Sequence, residues 1–148
     1  MAHAAPATGA VTRRGAPPDV FSERTHAIAR WVTPAVLGLI YGYWAAANTR
    51  YGGPITGWNL LFGFVTAIVF FAVYMGLQAL APRLPREVHA VLWSAFASIA
   101  AGFLFSLSGR GHTALESAIL GLAIGALVFV TLFYRYYTHE DAAGHRIR

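Results

Sequence analysis

His112 and Glu116 lie four residues apart, so on a helix they share a face and could form a proton-linked or metal-binding pair. The same carboxylate also has a structural use. Thr113-Ala-Leu-Glu116 matches the capping box, in which a hydroxyl and a carboxylate satisfy the free N–H groups of a helix start. A carboxylate at that end also complements the helix dipole, and the cap is the favoured reading. Thr56 and Asn59 repeat the pattern in weaker form.

The other reactive types are thinly spread. His89 follows Glu87 by two residues and could titrate near neutral pH. Beside Pro85 and Arg86 it reads better as a helix-start residue with its tip in water. His139 and His145 are six apart, not at the four-residue spacing of a zinc-protease pair. Ser94, Ser98 and Ser106 fall in an apolar stretch with no histidine or lysine base beside them, so none is expected to act as a nucleophile. The chain has no cysteine, which removes disulfides, thiolate metal sites and cysteine nucleophiles. No glycine-rich phosphate loop followed by lysine occurs. No catalytic residue, cofactor or metal ligand is therefore expected, and the residual polar candidates are His112, Glu116 and His89.

The elements that would carry these residues are set by composition. Of 148 residues, 57% are hydrophobic and only 11% charged, against about 25% charged in soluble domains. Such a charge deficit implies that lipid is the solvent. About 20 apolar residues in a helix cross the ~30 Å hydrocarbon layer, and four stretches qualify, at about 31–49, 58–81, 88–107 and 114–134. Backbone polar groups in lipid must be satisfied within each segment, so these are helices. The expected fold is all-α, a four-helix transmembrane bundle running up-down-up-down. Residues 1–18, rich in Ala, Pro, Gly and Thr, read as a disordered cytoplasmic tail. Residues 19–138 form the membrane domain, with Asp19 as an N-cap, and 139–148 form a second cytoplasmic tail.

All eleven basic residues are arginine. Arg13, Arg14, Arg24 and Arg30 precede the first span, Arg83 and Arg86 sit in the middle loop, and Arg135, Arg146 and Arg148 follow the last. The opposite side holds Arg50 and Arg110 alone. Arginine excess marks the cytoplasmic face, so both termini are expected inside, at a bacterial plasma membrane. The arginines form no patch that would suggest nucleic acid. Ala45-Ala46-Ala47 could serve as a signal-peptidase site, but thirty residues precede the apolar run and Tyr43 and Trp44 crowd the site, so the span is expected to be retained.

Hydrophobicity cannot drive helices together in lipid; close backbone approach does, and it needs small residues on one face. Pro34, Gly38, Gly42 and Ala46 recur every four residues in the first span. Ser94, Ser98, Gly102 and Ser106 do so in the third, and Ser117, Gly121 and Gly125 in the fourth. These stripes are expected to pack the helices against one another rather than against a second copy. The second span, with Phe62, Phe64, Phe70, Phe71 and Tyr74, is expected at the periphery. The two halves also resemble each other, through Thr56, Asn59 and Gly63 in one and Thr113, Glu116 and Gly121 in the other, with a one-residue register shift.

No acidic or basic side chain falls at mid-depth in any span, whereas ion-coupled carriers place one there. The expected role is that of a non-catalytic membrane protein, an interaction or scaffold component. Its partners are the lipid bilayer and another membrane protein or itself. The alternative is a small channel or transporter subunit with a polar path along Ser94, Ser98 and Ser106 to Glu116.

Overall fold

The computed structural model describes residues 23–109 and 111–139. Among them the chain is helical with short connections: α1 (Glu23–Thr49), α2 (Gly57–Leu80), a 3-10 turn (Ala81–Arg83), α3 (Arg86–Leu107) and α4 (Ala114–His139). The expected tail at 1–18, the Asp19 cap, the side of Arg110 and residues 140–148 of the expected tail at 139–148 lie outside the described residues, while His139 is the last residue of α4.

Each boundary has a local cause. Thr56 caps α2 by accepting from the Asn59 N–H at 3.3 Å, while the Asn59 side chain accepts from the Thr56 N–H at 3.4 Å. Thr113 and Glu116 make the same reciprocal pair at the start of α4, at 3.2 and 2.8 Å. Here α1 gives way to a turn in which Tyr51 (φ 48°) and Gly52 (φ 80°) adopt the left-handed region. Tyr51 is the one non-glycine residue to do so among those described, at a steric cost of about 1–2 kcal/mol. Pro82 and Pro85 bracket the turn between α2 and α3, where a missing N–H and a fixed φ stop one helix and open the next.

Three helical segments are long and apolar enough to cross a membrane: Gly57–Arg83, Glu87–Leu107 and Ala114–Arg135. The fourth helix, α1, has the length, since its 27 residues span about 40 Å. Its composition is less apolar, because Pro34, Gly38, Gly42 and two tyrosines interrupt the run. The helix extends beyond the expected span start at Trp31: α1 is already formed at Glu23, which puts Pro34 inside the helix, where its ring is fully buried.

The helices pair as two antiparallel hairpins, α1 along α2 and α3 along α4, which meet where α1 touches α3. Their packing inverts the usual order of a water-soluble protein. The most enclosed side chains are small, with Ala45 and Ala90 at 0% exposure, while Ile99 stands 72% and Leu127 70% exposed. Water would penalise that arrangement heavily, at roughly 25 cal/mol for each Å² of apolar surface; hydrocarbon would not.

One expectation is corrected here. The second span keeps an outer face, with Phe64 56% and Ile68 64% exposed, but it is not merely peripheral: α2 buries Gly63, Ala67 and Leu77, the first two against α1. Several of its rings turn toward α3 rather than outward. The reason is that Gly63, Ala67, Phe70 and Tyr74 recur on one stripe of α2 at helical spacing, where the small residues meet α1 and the long rings reach on to α3.

Candidate functional site

Two seams of small residues hold the hairpins. Between α1 and α2, a Cβ added at Gly42 would overlap the carbonyl oxygen of Gly63 and stand 2.8 Å from Ala67 Cβ. One added at Gly63 would lie 2.9 Å from both the Gly42 carbonyl oxygen and Ala46 Cβ, and one at Gly38 would lie 3.0 Å from the Ala67 carbonyl oxygen. Between α3 and α4, a Cβ at Gly121 would lie 2.6 Å from the Ser98 carbonyl oxygen. At Gly102 it would meet the Ser117 carbonyl oxygen at 2.9 Å, and at Gly125 it would meet Ser98 Cβ at 2.8 Å and the Ser94 carbonyl oxygen at 3.0 Å. Glycine is required at these crossings because backbone meets backbone. Ser117, 6% exposed, stays satisfied by donating to the Thr113 carbonyl at 3.1 Å.

The structure therefore brings Gly38 and Gly42 against α2, and Ser94, Ser98 and Gly102 against Ser117, Gly121 and Gly125. It does not bring in Ser106, which is exposed and donates to its own helix at the Phe103 carbonyl, 2.7 Å away. Ser94 likewise donates to Val91 at 2.8 Å. The Ser94 and Ser106 hydroxyls thus each bond to the helix that bears them. Gly63 and Ala67 were missed by the sequence reading, although their spacing of four was the available signal.

The contact between hairpins is built of rings. Tyr41 stacks on Phe70 at 4.7 Å, Phe70 meets Phe96 at 5.1 Å, and Tyr74 meets Trp93 edge-on at 5.0 Å. Two hydrogen bonds cross here as well. The Tyr41 hydroxyl donates to the Ala100 carbonyl at 2.7 Å, and Asn48 Nδ2 donates to the Leu104 carbonyl at 3.4 Å. Large rings keep α2 and α3 apart, and the space between them is an apolar groove of about 580 Å³. Its walls run from Val65 to Leu77 on α2 and from Leu92 to Phe103 on α3, with Tyr41 reaching in from α1. Thr66 and the Tyr41 hydroxyl are its polar groups, and no charged side chain lines it.

The polar candidates sit at the two ends of the molecule. His112 Nδ1 lies 3.7 Å from Glu116 Oε2, and its ring packs on Phe105 at 4.1 Å. That Glu116 oxygen already accepts the Thr113 N–H, so the carboxylate closes the helix cap and the imidazole lies alongside it. His89 lies at the far end of α3, in its first turn. Among the described residues no three histidine, aspartate or glutamate side chains come together as a metal site would need. Nearby, Asn59 Nδ2 donates to Thr49 Oγ1 at 3.3 Å, tying the end of α1 to the start of α2. Gln78 Oε1 is enclosed with no hydrogen-bond partner among the described residues.

Comparison with protein-family models, with curated proteins and with solved structures finds no match for this chain.

Proposed function

We propose that this chain is a non-catalytic, four-span protein of a bacterial plasma membrane, with both termini in the cytoplasm, that acts as an interaction or scaffold component. The observation that carries this reading is the inverted packing: small residues enclosed in the seams and large apolar ones turned outward. In a bilayer that surface is solvated by lipid, and the glycine seams supply the backbone contact that holds helices together there.

The fourth crossing rests on α1. It runs the length of α2, sealed to it through Gly38 and Gly42, and a helix so paired with a spanning partner shares its medium. Trp31 lies near one end, and Trp44 and Tyr51 near the other, all about half exposed, as rings at the headgroup level would be. Orientation rests on the arginine count, nine against two.

A scaffold role is supported by where the apolar surface is left over. Both glycine seams are consumed inside the chain, so a partner would meet aliphatic faces such as Leu115, Ile119, Leu122 and Leu127 on α4, each more than half exposed. The polar-path alternative is weakened by Ser94 and Ser106 bonding to their own helix.

The test is a photo-reactive residue at Leu122 or Leu127, irradiated in native membranes. The expected outcome is one discrete protein adduct, a partner or a second copy. Adducts to lipid alone from every α4 position would remove the scaffold reading. Flux of small ions or solutes through liposomes holding the purified chain would favour a pore instead.

A further inference from the structure

One end of the groove between α2 and α3 lies toward the turn that joins them. Leu77 marks its end on α2 and Leu92 its end on α3, each six residues from an arginine, Arg83 and Arg86. From Val65 to Leu77 the groove runs twelve residues, about 18 Å of helix. That is close to the ~15 Å depth of hydrocarbon in one leaflet. Its walls are apolar except for Thr66 and Tyr41, and Arg83 is exposed in the turn beyond. Here α3 also opens without a side-chain cap, so the positive end of its dipole faces the same place. Glu87 is the one acidic residue within this segment, against Arg83 and Arg86, so the segment's formal charge is positive.

A groove that fits one acyl chain, ending below two arginines, complements a particular ligand. We infer that the α2–α3 groove is a binding site for a phospholipid with an anionic headgroup. One acyl chain lies between Val65–Leu77 and Leu92–Phe103, and the phosphate sits at the turn carrying Arg83 and Arg86. The six residues between groove and arginines, about 9 Å, give room for the glycerol backbone. The inference rests on the reading above, that α2 and α3 cross the bilayer with this turn at the cytoplasmic face, where anionic lipid is enriched in many membranes. It goes further in separating a held lipid from the exchanging shell around any spanning helix.

The experiment uses the full chain purified in mild detergent and offered equimolar phosphatidylglycerol and phosphatidylcholine, with retained lipid read by native mass spectrometry. The expected result is a retained adduct favouring phosphatidylglycerol. Arg83→Gln and Arg86→Gln each lower that preference about fivefold. Ala95→Trp, which fills the groove from α3, abolishes the adduct with helicity unchanged by circular dichroism. Val69→Trp repeats the test from the α2 wall, and Val130→Trp, on the exposed side of α4, leaves the adduct intact. Equal retention of the two lipids, or an adduct that survives both groove-filling variants, would overturn the site. So would a dimer that those variants convert to monomer with no change in lipid, since a second copy would then be the occupant. A chain that fractionates with membranes yet shows no headgroup preference refutes this site alone, whereas a chain recovered without detergent refutes the membrane reading beneath it.

Discussion

Inside each hairpin the helices touch backbone to backbone, while between hairpins they touch ring to ring. At the Gly121–Ser98 crossing an added methyl would approach a carbonyl oxygen at 2.6 Å. At the Tyr41–Phe70–Phe96 contact the ring centroids stand 4.7 and 5.1 Å apart, and a groove remains beside them. The difference shows what lipid asks of an interface. With no hydrophobic gain from burial, two helices bind tightly only where backbones come close. A contact made by long side chains holds more loosely and leaves space that acyl chains can enter.

The substitution expected to separate the two regions most sharply is Gly121→Leu. The new side chain has no rotamer that avoids the Ser98 backbone, and overpacking of this kind costs about 1–3 kcal/mol or more. Unfolding of the reconstituted chain in graded denaturing detergent should show the midpoint falling steeply. Gly76→Leu is the control, because nothing lies within 4 Å of a Cβ there, and it should leave the midpoint unchanged or slightly raised. Equal losses at both glycines would erase the distinction between seam and surface.

Phe96→Ala probes the other region. It removes the one ring that pairs with Phe70 and Tyr74 across the contact and with Trp93 on its own helix, each pair being worth about 0.5–1.5 kcal/mol. Lipid fills the space left, so the loss should be smaller than at Gly121, and the α3–α4 hairpin should survive it. A double-mutant cycle with Phe70→Ala should give a coupling of the same size as one pair; strict additivity would mean that the hairpins do not dock through these rings.

The smallest effect is expected from Tyr41→Phe. It deletes the 2.7 Å bond to the Ala100 carbonyl, and hydrogen bonds between membrane helices average about 0.6 kcal/mol. The same unfolding assay should register a shift at the edge of detection. A loss as large as that of Gly121→Leu would make the hydrogen bond, not ring packing, the main link between hairpins.

Helix limits were legible in the sequence because their causes are local. Thr56 with Asn59 and Thr113 with Glu116 mark two helix starts within four residues each, while the apolar runs mark the spans but not the polar turns by which α1 and α4 extend beyond them, to Glu23 and His139. Stripes such as Gly38–Gly42 show which face of a helix is narrow, yet they do not say which helix lies opposite. That is why Gly63 and Ala67 went unrecognised on a helix crowded with phenylalanine. The groove was not legible at all. It arises from rings on α2 and α3 that are far apart in sequence and meet through Tyr41 on a third helix, and no periodicity encodes such a meeting. His112 and Glu116 do approach to 3.7 Å, but His112 precedes α4, so they do not share a helix face as their spacing implied, and the Thr113 cap accounts for the carboxylate.

Whether all four helices cross the membrane is the claim on which the rest depends, and α1 is where it is most exposed to test. The absence of native cysteine gives a silent background for single-cysteine labelling with a membrane-impermeant reagent in intact cells. Cysteine placed at Gly53 or Gly111 should label at once, while cysteine at Thr25 or Pro82 should label only after the membrane is opened. Labelling of Thr25→Cys from outside in intact cells, alongside Gly53→Cys, would show that α1 does not cross and would contradict the account.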